Sequence, residues 1–314
     1  MTLGYLERLV IQALSAHALA SSVAALAIGV VWRHVAASAS PAVTARRIFL
    51  MRLMPSLLGG LVSLLVAVAY TLWETRVDAE RAGVLGLALA AAGFIFVGAG
   101  LWRALIATRR TWSVRRTLLR SSGMPLPALP LRAYVVESRF PVVALVGLVM
   151  ARLFVARRVI DACTAGEFDA VIAHEQAHAR HRDNLRRLAM TAAPDLLGLL
   201  PAGRQIQEAW LHASELAADQ WAAERTNGVL LASALVKVAR LATTPSEPLP
   251  ASALYRGEPI TERVHRLLES VPAEAPPPWP QWLRATACVA IVAAALIALP
   301  ALHVVAERIL QWGP

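Results

Sequence analysis

The sequence predicts a mainly α-helical protein with four membrane-spanning helices and a small α+β unit between the third and the fourth. Three observations lead there. Hydrophobic residues make up 57% of the 314 and charged residues 17%, with a mean hydropathy of +0.53, outside the range of a soluble domain of this size. Apolar runs of bilayer length lie at about 9–32, 53–73, 84–102 and 285–306. Between the last two, the pattern changes to short β-branched runs and amphipathic helical periodicity. The expected division is therefore 1–106, three transmembrane helices; 107–284, a cytoplasmic domain; and 285–314, the fourth span with a short outer tail.

The first run, Leu9 to Trp32, is interrupted by Gln12, Ser15, His17, Ser21 and Ser22, which should face other helices. His17 reads as a neutral imidazole bonded to a neighbouring helix and carries no assigned role. Arg33, Arg46, Arg47 and Arg52 fill the following loop without acidic partners, which places that loop in the cytoplasm by the positive-inside rule. In the second span Ser56 and Gly60 form a small-xxx-small pair, and Tyr70 and Trp73 anchor the outer interface. The third span is followed at once by Arg103, Arg109, Arg110, Arg115, Arg116 and Arg120, so everything from 103 to 284 should be cytoplasmic. These arginines account for much of the formal charge of +10. Because they flank apolar runs, they suit anionic lipid headgroups, and direct nucleic-acid binding is not expected. The residues before the first run lack the basic stretch of a cleavable signal peptide. Cys163 and Cys288 are the only cysteines, so no disulfide framework is expected.

Residues 121–130, with Pro125, Pro127 and Pro130, read as a linker, followed by strands at 133–137, 142–149 and 152–160. Thr164 and Glu167 then form a capping box, and Phe168, Val171, Ile172 and Gln176 recur at helical spacing behind it. This helix carries His174-Glu175-Gln176-Ala177-His178. The two histidines, one turn apart, project from one face and can hold one Zn²⁺ with Glu175 beside its open side. Such a site needs a third protein ligand. Glu215, in Glu215-Leu216-Ala217-Ala218-Asp219, can supply it, with Asp219 orienting an imidazole from behind. Residues 185–201 are apolar but too short to span a bilayer and should lie against the membrane surface. Helices are expected at 206–225, 229–242 and 259–270, then a proline-rich linker at 271–281.

Taken in order, His174-Glu-Gln-Ala-His178-x4-Asp183-Asn184, Glu215-Leu-Ala-Ala-Asp219 and Glu262-Arg263-Val264-His265-Arg266-Leu267-Leu268 resemble the gluzincin membrane metallopeptidases of the BlaR/MecR type. The HtpX-type proteases look like more distant relatives. The resemblance implies a zincin-like α+β metallopeptidase domain in the bacterial cytoplasmic membrane, its active site on the cytoplasmic side. It also implies a zinc endopeptidase with His174, His178 and Glu215 as ligands, Glu175 as the base, and Asp219 and Asp183 as supporting carboxylates. Arg263 is either a cation for the oxyanion of a tetrahedral intermediate or a helix-surface charge. Strand 142–149 is either an edge that holds an extended substrate backbone or an ordinary packed strand. The implied substrate is a protein or peptide, in the BlaR/MecR case a winged-helix transcriptional repressor. HtpX-like quality control of membrane proteins, or a non-catalytic receptor or scaffold, are the alternatives. Only eight residues follow the fourth run, where BlaR/MecR receptors carry a penicillin-binding sensor domain, so no such domain is expected.

Overall fold

The computed structural model describes residues 3–36, 40–73, 83–126, 131–138, 141–242, 260–269 and 304. Three of its helices are long and apolar enough to cross a membrane: α1 (Leu3–Ala36), α2 (Pro41–Trp73) and α3 (Val84–Arg120). Val30, Leu57, Phe94 and Leu101 stay exposed on the outside of this bundle, whereas Gln12, Ser15, His17 and Ser21 are buried inside it. The inward polar groups tie the helices together. Ser15 Oγ donates to Gly86 O at 2.9 Å, and Ser63 Oγ to Ala13 O at 2.8 Å. Of the fourth expected span, 285–306, all but residue 304 lies outside the described residues.

All three helices outrun the apolar stretches that define them. Helix α2 begins at Pro41, so Arg46, Arg47 and Arg52 sit on a helix instead of in a loop. Proline at a first helical position is preset for the turn, and arginine is a good helix former. For the same reason α3 continues through the arginine cluster to Arg120.

The sheet follows directly, with β1 (Ser122–Leu126), β2 (Ala133–Val136), β3 (Val143–Val146) and β4 (Arg152–Ala156) in the order β1-β2-β4-β3. The central pair β2–β4 is parallel, and both outer pairs are antiparallel. Residues 122–126 thus correct the linker expectation: proline marked a break, but Pro125 is tolerated because β1 is an edge strand. Beyond β4 the extended stretch ends early, since Arg157–Ala162 is helix α4. Helices α5 (Ala165–His181) and α8 (Gly228–Ala242) cover the sheet, closing a core of Val143, Leu153, Phe154, Val171 and Leu235.

Helices α6 (Asp183–Ala192) and α7 (Pro201–Ala223) are joined by a hairpin that holds one 3₁₀ turn, Leu196–Gly198. This hairpin corrects the expectation of a surface-lying segment, for it is plugged among the three apolar helices. Arg52 Nη1 donates to both oxygens of Asp195 at 3.0 and 2.9 Å, and Ser56 Oγ donates to the same carboxylate. His17 Nε2–H donates to Pro194 O at 2.7 Å. Arg103 donates to Thr191 O at 2.8 Å and to Ala193 O at 2.9 Å. The approach is close enough that a Cβ at Gly100 would stand 2.5 Å from Ala192 O. Irregular backbone is tolerated among apolar helices only where its polar groups find protein partners, and these side chains provide them.

Candidate metal centre

Helix α5 starts where the sequence says it should. Glu167 N donates to Thr164 Oγ1 at 3.3 Å, and Thr164 N donates back to Glu167 Oε2 at 2.7 Å. Glu167 also receives Lys237 Nζ and Ser233 Oγ of α8, each at 2.6 Å, so the cap doubles as a tether between two helices. The bonds from Lys237, Ser233 and Thr164 hold its carboxyl down at about 2, against an ordinary 4.5. A depressed carboxyl stabilises the fold fully above about 4.5 and loses that contribution as pH falls toward 2. Glu167→Gln should therefore lower the melting temperature at pH 7 and flatten its decline between pH 5 and pH 3, as thermal melts across that range would read. An unchanged acid limb would remove Glu167 from the account.

The C-terminal end of α5 is turned by Arg182, at φ 54°. This left-handed residue brings Asp183 back against the helix it follows, where His178 Nδ1–H donates to Asp183 Oδ2 at 2.8 Å. Glu215 and Asp219, one turn apart on α7, approach from the other side, both buried. His174 Nδ1 lies 2.9 Å from Asp219 Oδ1, a charge contact outside ideal hydrogen-bond alignment. With both Nδ1 atoms engaged, both Nε2 atoms point inward. They stand 3.1 Å apart, and Glu215 places Oε2 3.5 Å from His174 Nε2 and Oε1 3.5 Å from His178 Nε2.

Those separations suit one tetrahedral cation. Zinc bonds of about 2.0–2.1 Å require donors about 3.3 Å apart, and His174, His178 and Glu215 form a group that could hold a metal ion. The electrostatics agree with the donor set. Burial alone would keep His174 neutral, but Asp219 and Glu215 outweigh it and push its pKa up to about 10. The same contest, won by Glu215 and Asp183, raises His178. Burial opposes the charge of Glu215 too, yet His178, His174 and Arg263 hold its pKa below the ordinary value. The cluster thus attracts positive charge.

Glu175 is 1% exposed, and neither of its carboxylate oxygens has a hydrogen-bond partner among the described residues. Such a buried carboxylate is costly unless something else at the site completes it. A cation with an open position for water fits that need. Burial raises the Glu175 pKa, with the two histidines opposing.

Arg263, on α9 (Ile260–Glu269), is 2% exposed, so it is not a helix-surface charge. Its Nε and Nη2 fork onto Asp219 at 2.7 Å each, and Nη1 lies 3.1 Å from Glu215 Oε2. It sits behind the carboxylates that face the histidines. His265 of the same helix is exposed and pairs with Glu269 at 3.1 Å. Sequence alone assigns no role to Lys237 or Ser233, nor to Asn184, although it closes the motif His178-x4-Asp183-Asn184. Asn184 Nδ2 donates to Leu145 O at 2.8 Å and to Gly147 O at 2.9 Å. Its position directly after Asp183 was the one available signal.

The chain matches no curated protein. Residues 107–212 match the family model of Peptidase family M48, a segment that includes the sheet, α5 and α6 and stops short of Glu215. Residues 107–212, which include His174, Glu175 and His178, are thus similar to a Peptidase family M48 segment, in a chain with three membrane-capable helices among the described residues.

Proposed function

We propose that this protein is a membrane zinc endopeptidase, with His174, His178 and Glu215 as the zinc ligands and Glu175 as the general base. The observation that carries the proposal is the set of donor separations, 3.1, 3.5 and 3.5 Å, closed by residues from two helices. Bound Zn²⁺ supplies a Lewis acid and an acidified water. Glu175, buried and without a hydrogen-bond partner among the described residues, would take a proton from water and return it to the leaving amine. Asp219 and Asp183 hold the imidazoles in the tautomer that leaves Nε2 free to ligate. Arg263 keeps Glu215 and Asp219 ionised and in place, and we assign it this role in preference to an oxyanion contact.

Arginine asymmetry supports a multi-pass protein of the bacterial cytoplasmic membrane with the site facing the cytoplasm. The BlaR/MecR-like motif order supports a regulatory protease that cleaves a cytoplasmic or membrane-associated protein such as a winged-helix repressor. Metal analysis tests the ligand set. Purified protein should contain about one zinc per chain. His174→Ala and Glu215→Ala should each lose most of it, and chelation should abolish cleavage of labelled β-casein until zinc is restored. Full zinc retention in both variants would remove the ligand assignment.

A further inference from the structure

Helix α3 leaves the apolar bundle without a break. Its last exposed large aliphatic residue is Leu105, and the helix runs on from there to Arg120. Over this stretch one side is covered, for Val114 and Leu118 pack against the core under the sheet. The opposite side is open. Arg109, Trp112, Arg116 and Arg120, spaced by three, four and four residues, share one exposed helix face and, with Ser113 and Thr117, line one open groove. The Arg116 guanidinium carbon stands 5.0 Å from the centroid of the Trp112 ring, and that indole is itself 58% exposed. None of Arg109, Arg116 and Arg120 forms an ion pair with a described residue.

These three guanidiniums lie in a line along the axis of a helix that leaves the bundle end-on. At 1.5 Å per residue, Arg109 stands about 6 Å beyond Leu105, Arg116 about 16 Å and Arg120 about 22 Å. Headgroups extend about 5–7 Å beyond the hydrocarbon, and their potential decays over about 8 Å. A tilt of about 20° lowers the outermost position by only about 1 Å. A membrane surface therefore meets Arg109, whereas Arg116 and Arg120 face water. A polypeptide lying alongside α3 can meet all three. Carboxylates one helical turn apart, or on alternate residues of an extended chain, are spaced by about 6–7 Å, and Arg116 and Arg120 are spaced likewise. The exposed indole beside them supplies an apolar anchor, and tryptophan and arginine are the residues that most often carry binding energy between proteins. A second copy of this chain, with its formal charge of +10, is a poor electrostatic match.

We propose that the face of α3 bearing Arg109, Trp112, Arg116 and Arg120 is a docking surface for an acidic segment of a partner polypeptide. The segment lies along the helix with its carboxylates on the guanidiniums and an apolar side chain on Trp112. Its charge pairs are exposed and individually weak, so docking governs encounter and register more than tight affinity, and it weakens as salt rises. None of these residues belongs to the metal centre. The inference goes beyond the endopeptidase reading and stands or falls without any cleavage.

The test uses the full chain, purified with zinc and placed in phosphatidylcholine nanodiscs, with fluorescein-labelled decaglutamate as the probe and fluorescence anisotropy as the readout. Wild type should bind the probe in a salt-sensitive manner. The triple variant Arg109→Gln/Arg116→Gln/Arg120→Gln should bind it roughly tenfold more weakly, the combined effect of three exposed pairs. Glutamine is a good helix former, so zinc content and melting temperature should stay at wild-type values. Arg116→Glu, a smaller perturbation of the helix, should weaken binding on its own. A charge-matched control, Arg46→Gln/Arg180→Gln/Arg204→Gln, removes three exposed arginines from α2, α5 and α7 and should bind as wild type does. Adding phosphatidylglycerol to the nanodiscs should leave binding in place. Undiminished binding by both the triple variant and Arg116→Glu, or an equal loss in the control, would overturn the proposal. Loss of binding in phosphatidylglycerol nanodiscs would overturn it in favour of a headgroup surface. Tighter binding of a single-stranded oligonucleotide through the same three arginines would overturn it in favour of nucleic acid.

Discussion

Glu175→Gln should retain stoichiometric zinc and normal membrane insertion while cleaving β-casein at least 10²-fold more slowly, with general-base catalysis worth roughly 10²–10⁴-fold. The separation is possible because Glu175 is not among the donors that converge on the cation position. Ligand variants cannot make the same distinction, since losing a metal can also lose structure. Glutamine is nearly isosteric and neutral, so it also removes the cost of burying a carboxylate whose oxygens have no partner among the described residues. The variant should therefore be at least as stable as wild type in a thermal melt. Comparable cleavage rates at equal zinc would show that Glu175 is not the base.

The second large effect lies away from the metal. Arg52 and Asp195, 2% and 0% exposed, form a two-pronged pair inside the helical bundle. Removing one partner of a buried pair costs about 3–5 kcal/mol, because the other charge is left uncompensated. Arg52→Ala and Asp195→Ala should each lower the melting temperature sharply. The double variant Arg52→Met with Asp195→Leu should be far less destabilised than the sum of the two single changes. Zinc content should fall in the single variants as well. The hairpin that Asp195 anchors joins α6, which begins at Asp183 beside His178, to α7, which carries Glu215 and Asp219. Melts in detergent with parallel metal analysis would read both effects. Single variants as stable as wild type would mean that the hairpin is not held by this pair.

The parts of the site that sequence makes legible are those governed by helical periodicity. His174 and His178 share a helix face at spacing four, as do Glu215 and Asp219, and the Thr164–Glu167 cap marks where α5 begins. Asp183 is readable because only one residue separates it from the helix that carries His178. Contacts across long separations leave no such trace. Arg52 meets Asp195 across 143 residues, and Lys237 meets Glu167 across 70. Arg52, at the border of an apolar run, looks like a loop charge until its buried partner is known. Strand β1 is hidden for a different reason: Pro125 suggests a break, and only the pairing of β1 with β2 shows that an edge position can accommodate it. The hairpin between α6 and α7 is apolar like any surface-lying segment. What seats it in the bundle is a set of donors, His17, Arg52 and Arg103, drawn from three helices far away in sequence.

X-ray absorption at the zinc edge of the purified full chain tests the central claim most directly. Two imidazoles, one carboxylate and an open position predict a shell of nitrogen and oxygen at about 2.0–2.1 Å, with the scattering of two imidazole rings and no sulfur. A sulfur shell near 2.3 Å, or a spectrum without imidazole scattering, would contradict it.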